Sequence, residues 1–169
     1  TEGRPSLILS ADKDLSQLLG EHDVQWDYAK NERWQLAGVK AKHGVHAHQL
    51  ADYLGLTGDA VDNIPGVPGI GPKTAATLLG HFGTLDVLLE KLDEIPYLRL
   101  RSAALHATKL REHRDMALLS RKLATIRCDI PLPEDTALGS RRAKDEDGLM
   151  ALIEQLRLGP LTRRRLLSL

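Results

Sequence analysis

The chain has one cysteine, no apolar run of bilayer length, no basic-then-apolar leader, no internal repeat and no net charge. Each absence removes a class of protein. A lone Cys128 excludes an internal disulfide and suits a reducing compartment, where a buried, inert thiol is ordinary. Without a membrane-length run or a leader, the chain reads as soluble and cytoplasmic, with no membrane partner. At 169 residues and 42% hydrophobic, it has material for one domain or two small ones with a real core, which excludes a disordered tail. The histidines His43, His46 and His48 lie within six residues of one another, but no cysteine or second histidine pair completes a zinc set. They read as the polar approach to a helix.

The zero balance hides a distribution. Residues 1–97 hold 8 Lys/Arg against 14 Asp/Glu, residues 98–127 hold 8 against 2, and residues 128–169 hold 7 against 7, giving −6, +6 and 0. An acidic front followed by a basic stretch makes sense if cations neutralise the first and phosphates meet the second. Arg99, Arg101, Lys109, Arg111, Arg114, Arg121, Lys122 and Arg127 are the candidates, and a solvated helix face is the plainer reading for any one of them.

What is present concentrates in Gly58 to Thr74, GDAVDNIPGVPGIGPKT. Gly66, Gly69 and Gly71 have no Cβ, so the backbone there is free to take positive φ and to turn its amides into one concavity that receives an anion. Pro72 pre-sets the first helical residue at no hydrogen-bond cost. Lys73 to Leu79 then reads as a helix closed by Gly80, whose free amides and positive dipole end face the turn. A phosphodiester backbone fits; the plain alternative is a Gly/Pro-rich surface loop that starts a helix. A P-loop does not fit, because Pro72 separates Gly71 from Lys73 and no β-rich run precedes Gly66.

Asp59 and Asp62 stand three apart before this turn. A short helical turn from Thr57 to Asn63 places both carboxylates on one face. Like charges so close need compensation, and a hard divalent cation such as Mg²⁺ supplies it through carboxylate oxygen. The competing reading makes Asp59 a helix cap and Asp62 a solvated charge. A second pair, Asp12 and Asp14, follows the apolar run Leu7-Ile8-Leu9, read as a short buried strand. That places both acids at the strand's carboxyl end, where open α/β sheets put ligand sites. Two carboxylate pairs suit a two-metal phosphoryl-transfer centre, with ions roughly 3.5–4 Å apart.

The strings Asp12-Lys13-Asp14-Leu15-Ser16-Gln17-Leu18 and Gly58 to Ala75 resemble the bacterial 5′-3′ exonuclease and flap endonuclease family, over roughly Leu7 to Leu132. The resemblance implies that Asp12, Asp14, Asp59 and Asp62 bind Mg²⁺ or Mn²⁺ and that the glycine-rich turn is a helix-three-turn-helix gripping duplex DNA. It further implies DNA contacts at Gly69, Ile70, Gly71, Pro72, Lys73 and Thr74. Main-chain carbonyls of Leu56, Thr57, Pro65, Val67 and Ile70 would hold a K⁺ ion. Family members begin with a strand bearing a metal-binding aspartate, an arch and further carboxylates, so the expectation is a chain lacking the family's N-terminal part.

The organisation expected is therefore α/β. Residues 1–49 form the C-terminal part of a PIN-like or resolvase-like nuclease core, residues 50–127 a mostly helical region with the helix-three-turn-helix, and residues 128–169 a linker and helical tail. In detail, Leu15 to Leu19 reads as a helix, and Val24–Tyr28 with Arg33–Leu36 as a hairpin whose tryptophans pack. His46 to Leu54 reads as a helix closed by Gly55, and Thr84 to Leu92 as another. A long basic helix follows from about Leu98 to Leu119, then a strand from Leu123 to Arg127. Asp129 to Asp147 is linker by composition, and two short helices split by Gly159-Pro160 end the chain.

The function expected is metal-dependent, structure-specific hydrolysis of DNA phosphodiesters at 5′ ends or flaps, by a monomer, with little base preference. The alternatives are a non-catalytic DNA-binding module and, more remotely, a nucleotide-binding switch domain.

Overall fold

The computed structural model describes residues 5–131 and 143–168. It is mixed α/β and mostly helical, with one small sheet, as the sequence predicts. The chain divides into two compact units, Thr1–Cys128 and Asp129–Leu169.

In the first unit, β1 (Leu7–Leu9) pairs in parallel with β2 (Val24–Asp27), which pairs antiparallel with β3 (Glu32–Gln35). The predicted hairpin is β2–β3, turned through Asn31 at φ 53°. The predicted burial of β1 is not found: Leu7 and Leu9 are 58% and 61% exposed, because β1 lies at the edge of the sheet and alternate side chains of a strand face opposite ways. Ile8 packs on the core. Trp34 is buried and its Nε1 donates to Ser16 Oγ at 3.0 Å. Trp26 lies beneath the Arg33 guanidinium, 4.0 Å from its ring centre.

Helices α1 (Leu36–His43), α2 (Leu50–Thr57), α3 (Pro72–Phe82) and α4 (Leu85–Glu90) follow, then α5 (Ala103–Glu112) and α6 (Arg114–Ala124). Helix α3 buries Ala75, Leu78, Leu79 and Phe82, an i, i+3, i+4, i+7 stripe that makes one face of the core. Each buried leucine contributes about 1.5–3 kcal/mol. Two buried polar side chains near the start of α2 tie the helices together. Gln49 Nε2 donates to Leu79 O at 3.0 Å and Gly83 O at 2.8 Å, satisfying carbonyls at the end of α3, and Asp52 Oδ2 accepts the Leu85 amide at 2.9 Å at the start of α4.

Several predicted boundaries move, each for a local reason. Leu15 to Leu19 belongs to a 3₁₀ helix, Lys13–Leu18. Residues 47–49 are also 3₁₀, and α2 continues to Thr57. Gly55 does not end α2. A Cβ there would lie 3.0 Å from Ala117 O and Arg121 Cβ, so this glycine permits the close crossing of α2 and α6. Gly80 is likewise interior to α3, which ends at Gly83 with φ 81°. The long basic helix divides at His113 into α5 and α6, and Leu123 belongs to α6 rather than to a strand.

The histidines behave as a helix approach. The His46 amide donates to Gln49 Oε1 at 3.1 Å, and the His46 and His48 rings stack at 5.6 Å.

In the second unit, α7 (Glu146–Gln155) is capped by Asp145, whose Oδ1 accepts the Gly148 amide at 2.9 Å, and α8 (Pro160–Leu167) begins at Pro160. Ile153 is buried. The linker expected at 129–147 includes 132–142, which lie outside the described residues. Among the described residues, no helix is long and apolar enough to cross a membrane.

Candidate metal centre and nucleic-acid interface

The acidic end is assembled from two segments. After β1, the chain turns through Ser10, whose Oγ accepts the Asp12 amide at 3.1 Å. Gln25, fully buried on β2, clamps that turn: its Nε2 donates to Asp12 O at 2.6 Å and Ser10 O at 3.2 Å, while its Oε1 accepts from Ser16 Oγ at 2.7 Å. Nothing in the local sequence Val24-Gln25-Trp26 distinguishes this glutamine, whose role depends on two turns elsewhere. Gln17 Nε2, donating to Ala124 O at 2.8 Å, ties the same 3₁₀ helix to the end of α6.

The second segment is a tight turn rather than the helical turn expected. Asp59 and Ile64 exchange both backbone hydrogen bonds at 2.8 Å, and Asn63 takes φ 56°, a left-handed conformation that asparagine tolerates. Asp59 Oδ1 accepts the Val61 amide at 3.1 Å.

These two segments bring Asp14, Asp59 and Asp62 together. One carboxylate oxygen from each lies within 4.8 Å of the other two. Asp12 is not in that group: its Oδ1 accepts the Asp14 amide at 3.0 Å and caps the 3₁₀ helix. Asp59 is buried, Asp14 half-buried and Asp62 exposed. Lys13 reaches into the group, donating to Asp59 Oδ2 and standing 4.0 Å from Asp14 Oδ1. Burial holds the Asp14 carboxyl above its usual range, and the charges of Asp12, Asp59 and Asp62 add to this against the pull of Lys13. For Asp59, burial works upward, but the Lys13 hydrogen bond and the Val61 amide outweigh it and bring the group below its usual range.

One observation tests whether a cation fits. Asp14 Oδ1 is buried and has no hydrogen-bond partner, a costly state for a carboxylate oxygen. An all-carboxylate set with a buried, unsatisfied oxygen suits a hard divalent ion.

The glycine-rich turn sits directly after the acidic turn. Gly58 (φ 70°) and Gly66 (φ 64°) lie back to back; a Cβ on Gly66 would fall on the Gly58 nitrogen. The Val67 amide donates to Leu56 O and the Ile70 amide to Val67 O, at 2.8 and 3.0 Å, and the Gly66 amide donates to the buried Ser120 hydroxyl at 3.1 Å. Of the three glycines expected to supply positive φ, Gly66 and Gly69 do so, whereas Gly71 is extended at φ −90°. Gly69 and Gly71 face open space. Helix α3 then starts with no side-chain cap, so its first amides, at Lys73 and Thr74, remain for an outside acceptor. Gly69, Gly71, Pro72 and Lys73 are exposed, Thr74 is partly so, and the Ile70 side chain is buried, leaving only its main chain to offer.

Much of the basic stretch is engaged internally. Arg121 grips Asp86 at 2.7 and 3.0 Å and Asp52 at 3.3 Å, Arg111 pairs with Asp93 at 2.8 Å, Arg114 donates to Leu89 O at 2.8 Å, and Lys109 stands 3.6 Å from Glu112.

Residues 45–147 match the family described as 5′-3′ exonuclease, C-terminal SAM fold. The chain is 42% identical to DNA polymerase I of Pseudomonas aeruginosa over 154 residues, covering 90% of this chain and 17% of that protein. It is also 42% identical to the flap endonuclease Xni of Shewanella amazonensis over 130 residues, covering 77% of this chain and 49% of the relative. The chain thus spans about a sixth of the one and about half of the other. In fold it is similar to the T5 D15 protein co-crystallised with metal ions, at TM-score 0.60 and 21% identity, over 70% of this chain and 42% of that one. The same values hold for the bacteriophage T5 D15 flap endonuclease in a pseudo-enzyme–product complex with DNA and metal ions.

Proposed function

Because the chain belongs to the 5′-3′ exonuclease family and carries its C-terminal SAM fold, we propose that it is the metal-binding and DNA-gripping part of a structure-specific 5′ nuclease. Such a nuclease hydrolyses phosphodiesters at 5′ ends or flaps of branched DNA. The convergence of Asp14, Asp59 and Asp62, with a buried Asp14 oxygen lacking a hydrogen bond, carries this reading. The relatives bear nuclease and polymerase names, and T5 structures of the same fold hold metal ions and DNA.

Asp14, Asp59 and Asp62 would hold Mg²⁺ or Mn²⁺, with Asp12 as a fourth ligand once its capping bond is given up. The ions supply activated water and stabilisation of the leaving oxygen. Residues 1–49, in this reading, are the C-terminal part of the nuclease core, 50–127 the DNA-gripping region and 128–169 the tail. The amides at the start of α3, with Gly69, Ile70, Gly71, Pro72, Lys73 and Thr74, meet the phosphates of one strand. Contacts to phosphate position a duplex without reading its sequence, and Lys73 adds a point charge. The carbonyls of Leu56, Thr57, Pro65, Val67 and Ile70 would hold K⁺ against the DNA backbone. Binding that is stronger in K⁺ than in Na⁺ at equal ionic strength checks that site. The protein acts as a cytoplasmic monomer, because DNA itself is the partner.

The test uses a labelled 5′-flap DNA with Mg²⁺, then with Ca²⁺ or chelator, for this chain and for the double variant Asp59→Asn with Asp62→Asn. Metal-dependent cutting lost in the double variant supports a complete site. Metal-independent binding of the flap without cutting supports the DNA-gripping role and places the remaining ligands in other parts of the nuclease. Neither binding nor cutting overturns the proposal.

A further inference from the structure

Lys13 lies between two of the acidic residues in sequence, yet its side chain leaves its own helix to meet Asp59, 46 positions away. Its ammonium donates to Asp59 Oδ2, stands 4.0 Å from Asp14 Oδ1 and feels the charge of Asp62 as well. The group most in need of positive charge therefore already has one. The lysine side chain is 35% exposed and that of Asp59 only 5%, so the ammonium enters from the solvent side on a flexible four-carbon stem that is free to swing out. Among the described residues, Lys13 is the only basic side chain paired with this carboxylate group.

An ammonium is a poor match for the set. It has three donors and one charge, and it leaves Asp14 Oδ1 without a hydrogen bond. A hard divalent ion held by Asp14, Asp59 and Asp62 would supply charge to that oxygen and to Asp59 as well, and Asp59 is the carboxylate that Lys13 now engages. Two cations would then draw on one carboxylate.

On the proposed metal-dependent reading, we infer that Lys13 is a built-in counter-cation. It neutralises the Asp14–Asp59–Asp62 group when no metal is bound, and a divalent ion must displace it. Lys13 thereby sets the metal affinity of the site below what the carboxylates alone would give. Once displaced, it leaves a mobile ammonium at the mouth of the site.

Two measurements decide this, neither of which needs catalysis. The first is Mn²⁺ binding to this chain, read from the loss of the free-ion electron paramagnetic resonance signal, for the parent, Lys13→Met, Lys13→Arg and Asp59→Asn. Lys13→Met is expected to bind Mn²⁺ on the order of tenfold more tightly, as one competing charge is removed; Lys13→Arg keeps the charge and returns towards the parent value. A merely structural role for Lys13 would leave the affinity of Lys13→Met unchanged or weaker, and that result overturns the inference while the metal reading stands. If neither the parent nor Lys13→Met binds Mn²⁺, both fall. The second measurement uses the parent chain alone and so does not depend on the variant folding: amine acylation mapped by mass spectrometry, with exposed Lys73 as internal reference. Lys13 should be slow to react without metal and faster as Mn²⁺ saturates. Equal reactivity in both states overturns displacement.

Discussion

Three glycines of one turn give the sharpest separation of fold from binding. Gly66 takes φ 64°, and a Cβ on it would sit 2.6 Å from the Thr57 carbonyl carbon and 2.7 Å from Gly58 Cα. All of these neighbours are backbone, so no side chain can rotate away. A left-handed non-glycine residue costs about 1–2 kcal/mol, and the overpacking adds about 1–3 kcal/mol. Gly66→Ala should therefore lose about 2–5 kcal/mol from a total that for a domain is about 5–15 kcal/mol. Gly69 has φ 85° but open space where the Cβ would go, so Gly69→Ala should lose only the conformational part, about 1–2 kcal/mol. Gly71 is extended at φ −90° and also faces open space; Gly71→Ala and Gly71→Val should stay within about 0.5 kcal/mol of the parent. Urea denaturation followed by circular dichroism measures the series. Binding should follow a different order. Gly71→Val, harmless to the fold, should weaken 5′-flap DNA binding on the order of tenfold, about 1.4 kcal/mol, by keeping phosphate from the amides of Lys73 and Thr74. Undiminished affinity in Gly71→Val would move the phosphate site elsewhere, and a Gly66→Ala loss under about 1 kcal/mol would refute the back-to-back packing.

The remaining expectations follow from single contacts. Asn63→Val should cost about 1–2 kcal/mol for its left-handed backbone and weaken Mn²⁺ binding by moving Asp62, whereas Asn63→Gly should be close to neutral in both; equal effects in thermal unfolding would sink the strain argument. Arg121→Met removes the partner of buried Asp52 and should cost about 1–3 kcal/mol, read by thermal melting, with a loss below about 0.5 kcal/mol counting against it. Asp23 accepts the Gly20 and Ser6 amides at 2.8 Å, and these bonds hold its carboxyl below the usual value of 3.8. A depressed folded value means that its stabilisation is full above the unfolded value and lost as pH falls through the folded one. The stability gap between the parent and Asp23→Asn should therefore be constant near neutral pH and close in acid below pH 3.8; a gap that persists there would refute the assignment.

What was legible in the sequence is what depends on neighbours a few residues away. The helix opened by Pro72 and running through Leu79 follows from its local sequence, although its last turn to Phe82 lies past the glycine read as its end, and the hairpin around Asn31 follows from two β-rich runs and a polar turn. What was not legible depends on residues brought from far along the chain. Gly55 looks like a helix stop and is a contact point for Ala117 and Arg121; a glycine that ends a helix and one that admits another helix look alike locally. The break between α5 and α6 at His113 carries neither proline nor glycine. Spacing alone grouped Asp12 with Asp14, but the 3₁₀ turn directs Asp12 to the Asp14 amide. The charge count made the basic residues of 98–127 candidates for phosphate contact, with a solvated helix face the plainer reading for each, and the structure gives Arg111, Arg114 and Arg121 partners within the chain that no count of charges reveals.

The geometry also explains why the acidic residues and the glycines belong to one continuous string. The Asp59–Ile64 turn presents two carboxylates on one side, and its return strand leads at once into Gly66, which packs on Gly58 just before Asp59. The two turns share backbone at their bases, so neither can shift without the other. The Gly66 amide is further fixed by Ser120 on α6, and α6 is held close to α2 by Gly55 and by the Arg121–Asp52 pair. On the proposed reading, a phosphate at the α3 amides would stand in a fixed relation to a cation at Asp59 and Asp62. Proximity and orientation of this kind supply a large share of catalytic power. The same coupling means that a disturbance at Gly66 reaches both ends, and Gly66→Ala should lower metal affinity and DNA affinity together, whereas Gly71→Val should lower DNA affinity alone.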